Sequence, residues 1–162
     1  MAEDTTKRKC IVAVRVRGTI SARREARETL QMLHLTRNNR AVLIDNRPAF
    51  AGMLNVVRAY VTWGEASKDT VLLLLSKRGR LAGDKKLAEE YLQKINYKSL
   101  EELAGALFNC KAEYWKLPSI QPYFKLHPPT KGFKGNIKRS FTAGGELGYR
   151  GAEINELVNR ML

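Results

Sequence analysis

The first apolar pattern of the chain has a period of two. Over residues 10–17 one face carries three valines, Val12, Val14 and Val16, while Arg15 and Arg17 point to the other face. This alternation predicts a β-strand that ends at Gly18. A second short apolar run, Ala41 to Ile44, predicts another strand.

Helical patterns lie on both sides of this second strand. Ser21 can cap a helix that runs to about His34, and its inward stripe consists of Ala22, Ala26, Leu30 and Leu33. The turn Asp45 to Pro48 follows the strand, because proline disfavours helix at the preceding residue. Apolar residues at helical offsets from Met53 to Val61 then predict a second helix, which ends at Gly64.

A continuous apolar run, Thr70 to Ser76, is interpreted as the third strand. The order strand, helix, strand, helix, strand within about seventy residues predicts one small sheet with two helices available to cover it. Residues 1–76 would then form a core domain, and residues 77–162 a helical extension.

The extension is predicted to contain three helices and a basic arm. Asp84 would open the first helix, and Ser99 with Glu102 has the spacing of a capping box before the second. The last helix, Ile154 to Leu162, is amphipathic and needs a surface on which to dock. The arm, residues 115–150, lies between the second and the last of these helices and is rich in proline, glycine and basic residues. Helices at both of its ends predict an anchored loop.

The charge of the chain indicates that this small globular protein binds a polyanion. Lys and Arg number 29 against 16 acidic residues, so the net charge is +13 and the pI is about 10.0. The stretch Lys116 to Gly145 holds six of these cations and no acidic residue. Such a segment buries too little apolar surface to fold alone, so we expect it to be largely disordered until an anion orders it. This balance is typical of nucleic-acid-binding proteins.

Aromatic residues in the arm narrow the partner to RNA. They alternate with cations and comprise Tyr123, Phe124, Phe133 and Phe141. Aromatic rings beside cations suit stacking on unpaired bases together with neutralisation of phosphates. The alternative is that the rings attach the arm to its own core.

The candidate RNA-binding residues are the cations on the first helix and at element ends, the basic loop after the third strand, and cations and aromatic residues of the arm and its end. They are Arg17, Arg23, Arg24, Arg27, Arg37, Arg40, Arg47, Lys77, Arg78, Arg80, Lys125, Lys131, Phe133, Lys134, Lys138, Arg139, Tyr149 and Arg150. For the first helix the alternative is a merely solvated charged face.

Other classes of site lack their signatures in the sequence. The two cysteines, Cys10 and Cys110, and the two histidines do not have zinc-module spacing, and the cysteines are expected to be reduced structural thiols. Neither glycine-rich nucleotide fingerprint occurs, so we expect no metal, no cofactor and no catalytic residues. No apolar run approaches the length of about 18 residues that a membrane span needs. The acidic start, residues 1–4, does not suit a signal peptide, so a cytoplasmic protein is expected.

Several of these residues resemble a known family. The run Thr29 to Leu35, the turn Asp45 to Pro48 and the helix with Gly52-Met53-Leu54 are similar to the core of the L-thirty family of large-subunit ribosomal proteins, called L-seven in eukaryotes. Arg40 departs from the family's pattern, which more often has a small polar residue there. The extension, through Gly144 to Arg150, is similar to the archaeal and eukaryotic branch, and the archaeal form fits best.

The resemblance implies an α+β fold, ferredoxin-like in character, with a β-α-β-α-β core whose three-stranded antiparallel sheet has its helices on one face. Alternating strands and helices alone would favour a parallel sheet. The resemblance also implies a non-enzymatic, cytoplasmic constituent of the large ribosomal subunit. It would act as a monomer that binds 23S-type ribosomal RNA and meets neighbouring ribosomal proteins, with contact to 5S RNA left open.

Two other functions stay open from the residues themselves. One is a free RNA chaperone, which would show no fixed stoichiometry with a ribosomal particle. The other is a small phosphate-ester or acyl-phosphate hydrolase, in which Arg17-Gly18 and Asn38-Asn39 would supply electrophilic groups. Against the hydrolase, Gly18 stands alone where that class has closely spaced glycines leading into an arginine.

Overall fold

The computed structural model describes residues 8–162. The acidic residues 1–4, on which the expectation of a chain without a signal peptide rests, lie outside the described residues. In the described part the strands are β1 (Cys10–Arg15), β2 (Arg40–Asp45), β3 (Val61–Glu65), β4 (Phe124–Lys125), β5 (Asn136–Ser140) and β6 (Gly145–Tyr149). The α-helices are α1 (Arg24–Met32), α2 (Pro48–Val56), α3 (Lys68–Arg78), α4 (Glu89–Lys94), α5 (Leu100–Phe108) and α6 (Ile154–Met161).

The centre of the fold is an antiparallel sheet of β2, β1 and β3. Val12 of β1 lies opposite Leu43 on one side and Gly64 on the other, so β1 is the middle strand. The predicted α+β class and the antiparallel core are therefore confirmed. The sheet is larger than predicted, because the extension adds β4 beyond β2, and β6 and β5 beyond β3, in the order β4-β2-β1-β3-β6-β5. Both β6 and β5 run parallel to their neighbours.

Helices cover both faces of this sheet. Ile11 and Ala13 of β1 face the cluster that contains α1 and α2, while Val12 and Val14 face α3, α5 and α6. All six residues of β1 are consequently buried. The expectation of helices on one face holds for α1 and α2 only, because the extension brings a second helical layer onto the opposite face.

The predicted third strand is wrong. Residues 70–76 lie in α3, which Ser67 caps by accepting a hydrogen bond from the backbone N–H of Thr70 at 3.2 Å. The leucine run has no period of its own, and length alone does not separate a buried strand from a buried helix. The third strand is β3, Val61–Glu65, in residues predicted to be the end of the second helix. That helix instead begins with Pro48 and ends at Val56.

Two predicted helix starts are also displaced. Ser21 has a φ of 62° and lies in a turn before α1, which begins at Arg24. Asp84 has a φ of 61° and lies in the loop before α4, which begins at Glu89. The Ser99 cap of α5 is confirmed, since its hydroxyl accepts from the Glu102 N–H at 3.3 Å.

The final helix docks as predicted, with all four residues of its apolar face buried: Ile154, Leu157, Val158 and Met161. The Asn155 amide fastens it to the core by accepting from the Ser67 N–H at 2.9 Å and donating to the Glu65 carbonyl at 3.1 Å. A Cβ atom on Gly64 would lie 1.9 Å from the Gly151 carbonyl oxygen. Only glycine therefore allows β3 and the extension to approach this closely.

Both cysteines are free thiols, as predicted. Burial raises the pKa of the Cys10 thiol to about 12, so it stays protonated at neutral pH. In the part of the chain that is described, no helix has the length and apolar character needed to cross a bilayer.

Candidate nucleic-acid interface

The arm is folded against the core along its length. The Phe124 ring is fully buried and stacks on Tyr114, with ring centroids 4.8 Å apart. The Leu126 N–H donates to the Asn39 carbonyl at 2.9 Å, and the His127 N–H to the Met161 carbonyl at 3.1 Å. In this folded conformation, apolar residues between the cations supply burial that composition alone does not reveal. The expected disorder of the arm before it binds an anion stays a prediction. Phe124 attaches the arm to the core, as the alternative interpretation held.

Cations gather where β1 ends and β2 and β4 meet. Arg40 lies opposite Lys125, and the preceding register pair of β1 and β2 is Val14 with Ala41, which places Arg15 beside Arg40. The loops at this end carry two further predicted residues. We call this region the basic end of the sheet, and it consists of Arg15, Arg17, Arg37, Arg40 and Lys125.

Arg15 is the residue here that sequence reasoning missed as part of the site. The residue as a whole is only 5% exposed, and its guanidinium donates to the carbonyls of Arg17 at 3.1 Å and Leu35 at 3.0 Å, and to the Thr19 hydroxyl at 3.0 Å. No carboxylate pairs with it among residues 8–162. Burial, and then the neighbouring charge of Arg40, lower its pKa from the ordinary arginine value. The only sequence signal was an arginine inside an apolar strand.

Two arginines at the basic end lie over tyrosine rings. The Arg40 guanidinium lies 4.0 Å from the centre of the Tyr123 ring and donates to the Thr36 hydroxyl at 2.6 Å. The Arg17 guanidinium lies 5.9 Å from the centre of the Tyr60 ring. The close stack on Tyr123 holds the Arg40 guanidinium in place and is compatible with a nucleobase packing on its other side, whereas Arg17 makes a longer cation–π contact.

Lys125 is already partly neutralised. Its ammonium lies 2.9 Å from both carboxylate oxygens of Asp84, to which Gln121 also donates. The hydrogen bond from Lys125 is the main cause that lowers the pKa of Asp84, and the charge of Arg80 adds to it. Lys77 is exposed at the end of α3, and Arg78 beside it is half-buried. The basic loop thus continues the basic end of the sheet through Arg80.

The arm presents a second group of cations. Every residue of the edge strand β5 is exposed, including Lys138 and Arg139. Neither these two nor Lys131 forms an ion pair within residues 8–162. Lys134 pairs with Glu156 at 2.5 Å, with both side chains exposed. Phe133 is half-buried against the core, so only part of its ring faces solvent.

The cations of α1 form a third group. Arg23 and Arg27 are exposed and have no ion pair in the described chain, whereas Arg24 pairs with Glu28 at 2.6 Å one helical turn away. An exposed pair of this kind contributes little to stability, so Arg24 can exchange Glu28 for a phosphate.

Three further predicted residues have internal partners. Arg150 is 8% exposed; it pairs with the Glu146 carboxylate at 2.6 Å and donates to the Thr62 hydroxyl at 2.8 Å. The guanidinium is therefore inside the fold, and this burial contradicts the prediction that Arg150 binds RNA at the surface.

The other two occupied residues are partly accessible. Arg47 pairs with Asp45 at 2.7 Å and with Glu113, and its guanidinium lies 5.8 Å from the centre of the Trp115 ring. The Tyr149 hydroxyl donates to Glu65 at 2.6 Å, which raises the pKa of Tyr149, while the ring remains exposed. Arg47 therefore stabilises its turn, and Tyr149 offers only its ring.

No group of three or more His, Cys, Asp or Glu residues in the described chain could hold a metal ion. What the described surface does offer is cations in three groups, two arginines over tyrosine rings and an exposed edge strand. This arrangement can neutralise phosphates over an extended path and stack on exposed bases.

Comparison with known proteins gives a consistent result. A family model described as Ribosomal protein L30p/L7e matches residues 11–61. The chain is similar to "Large ribosomal subunit protein uL30" of Methanopyrus kandleri, with 46% identity over 149 residues that cover 91% of this chain and 100% of the relative. The protein of that name in Thermofilum pendens is 47% identical over 93% of this chain and 97% of its own length. The one in Ignicoccus hospitalis is 45% identical over 96% and 99%.

Proposed function

The chain belongs to the ribosomal protein L30p/L7e family, and from this premise we propose that it is a structural constituent of the large ribosomal subunit. The observation that carries the proposal is similarity along more than nine-tenths of the chain to relatives named as large ribosomal subunit proteins. The predicted membership is thereby confirmed. The protein then works in the cytoplasm, within the ribosome.

Its role is to bind and stabilise folded ribosomal RNA by neutralising phosphates and fitting RNA shape. Phosphate contacts position a protein without reading sequence, so specificity arises from the fold of the RNA. The RNA is of the 23S type, and neighbouring ribosomal proteins meet the monomer at its remaining faces. Whether 5S RNA is also touched is a finer question that hydroxyl-radical footprinting of the assembled subunit would answer.

The contacts come from both parts of the chain. Residues 1–76 would supply the cations of α1 and most of the basic end, while residues 77–162 would supply Lys125 and the arm. The boundary falls within α3, and the sheet is continuous across it. The division therefore describes where RNA contacts lie rather than two separate folding units.

Association with the subunit can be tested by sedimenting a cell lysate on a density gradient after a moderate salt wash. We expect the protein, followed by immunoblot, to migrate with the large subunit at a constant ratio. Recovery at the top of the gradient would contradict stable membership and favour the free RNA chaperone. Turnover of a simple acyl phosphate by RNA-free protein would instead favour the hydrolase.

The edge strand β5 allows a test of the site. Reversing two charges, with Lys138→Glu and Arg139→Glu, should weaken binding to protein-free large-subunit RNA and lower the salt slope by about two. The unfolding midpoint should stay unchanged, because both side chains are exposed and form no ion pair in residues 8–162. Filter binding over a salt series, with a urea unfolding curve, measures both quantities.

The matched control makes the same change in charge at two other exposed lysines, with Lys98→Glu and Lys111→Glu. Neither lysine belongs to the three cation groups, so this variant should keep the wild-type slope. If the two variants lose affinity equally, β5 has no special part in binding. If the β5 variant unfolds, its cations are structural.

A further inference from the structure

The exposure of Ile20, an apolar residue, is not explained by a surface that binds RNA through cations. It lies in the loop between β1 and α1 and is 97% exposed, the largest exposed fraction among the large apolar side chains described. Single exposed apolar residues are common on protein surfaces. This one is unusual because the loop that presents it is held rigidly and is flanked by cations.

Several hydrogen bonds, two of them from the Arg15 guanidinium, hold the loop in place. Arg15 donates to the Arg17 carbonyl and to the Thr19 hydroxyl, so a guanidinium from the strand supports the residues just before Ile20. The Ala22 N–H donates to the Thr19 carbonyl at 3.1 Å and closes a turn around Ile20. The N–H groups of Val16 and Arg17 both donate to the Tyr60 carbonyl. A loop ordered before binding loses little further entropy when it meets a partner.

The charges around Ile20 determine the kind of partner. Arg17 precedes it and Arg23 follows it, and neither forms an ion pair in the described chain. A partner that fits must offer apolar surface between anionic groups. In RNA, an unstacked base or a ribose has phosphates on both sides along the strand.

We propose that Ile20 is an apolar contact to large-subunit ribosomal RNA, packing on a base or ribose while Arg17 and Arg23 bind flanking phosphates. The inference rests on the proposed function and adds a site that charge alone does not identify. Arg15 acts as a positioning residue, since it orders the loop and does not itself reach the surface.

The test is the substitution Ile20→Ser in the full chain. We expect binding to protein-free large-subunit RNA to weaken by about tenfold, the loss that corresponds to burial of part of one isoleucine. Because no charge is removed, the slope of log affinity against log salt should not change. The unfolding midpoint should also stay the same, since the side chain is exposed in the folded protein.

Met32→Ser is the matched control. Met32 is 62% exposed at the other end of α1, away from the loop, and its replacement should leave affinity unchanged. Equal affinity of wild type and Ile20→Ser would overturn this inference and leave the proposed function intact. If the wild-type protein itself fails to bind the RNA, the proposed function fails, and this inference fails with it.

A photocrosslinking residue at position 20 identifies the partner within assembled subunits. Crosslinks to ribosomal RNA would support the proposal. Crosslinks to a ribosomal protein alone would contradict it and would make the loop a protein contact.

Discussion

Raising the salt concentration from 50 to 200 mM is expected to weaken binding of this protein to protein-free large-subunit RNA by about a thousandfold or more. The reason is the release of counterions from each phosphate that a cation neutralises. An effect of this size requires about six to ten neutralised phosphates. Seven candidate residues are exposed and have no ion pair in residues 8–162: Arg23, Arg27, Arg37, Lys77, Lys131, Lys138 and Arg139.

Equilibrium filter binding over a series of salt concentrations measures this slope. The half-buried Arg17 and Arg40 at the basic end can add to it, because they lie over tyrosine rings and form no ion pair in residues 8–162. A slope near zero would contradict phosphate neutralisation as the main source of affinity. An intermediate slope that the β5 charge reversal does not lower would mean that Lys138 and Arg139 neutralise no phosphates.

The parts of the fold that the sequence predicts are those whose local apolar pattern fits a single type of element. β1 and α6 could be predicted because the valines of β1 recur at intervals of two and the buried residues of α6 at three and four, and β2 could be predicted because its apolar run is short and continuous. β3 could not, because Tyr60 and Val61 continue the helical offsets of Met53 and Val57. In the structure α2 ends at Val56, and the chain then turns so that Val61 pairs with Arg15 of β1. Pairing across the sheet, which no local pattern encodes, decides the assignment.

The candidate surface shows the same limit. Composition identified the cations, but their partners come from other parts of the chain. Arg47 is held by Glu113, which is far along the sequence, and Lys125 by Asp84. Arg15 differs from these residues, because its position in an apolar strand indicates that it is buried. Its function in ordering a loop depends on hydrogen bonds to the Leu35 and Thr19 oxygens. Net charge therefore predicted the class of partner better than the residues that contact it.

Replacement of Arg150 is the clearest test of whether a predicted RNA-binding arginine is instead structural. Arg150→Ala should lower the free energy of unfolding by about 3 to 5 kcal/mol, since it leaves the buried Glu146 carboxylate without its counter-ion. It also removes the hydrogen bond to the Thr62 hydroxyl, which joins β6 to β3. A urea unfolding curve measures the change, and Arg139→Ala, which truncates an exposed arginine of β5, should change it by less than about 0.5 kcal/mol.

A double replacement, Arg150→Met with Glu146→Leu, tests the cause. Apolar residues of similar size often replace a buried ion pair without loss of stability, so the double variant should be more stable than Arg150→Ala. Recovery should be incomplete, because the Glu146 carboxylate also accepts from the Gly135 N–H at 2.7 Å and holds the start of β5. The folded double variant should then bind RNA with a salt slope close to that of the wild type. A slope lowered by about one, with stability intact, would mean that Arg150 reaches a phosphate after all.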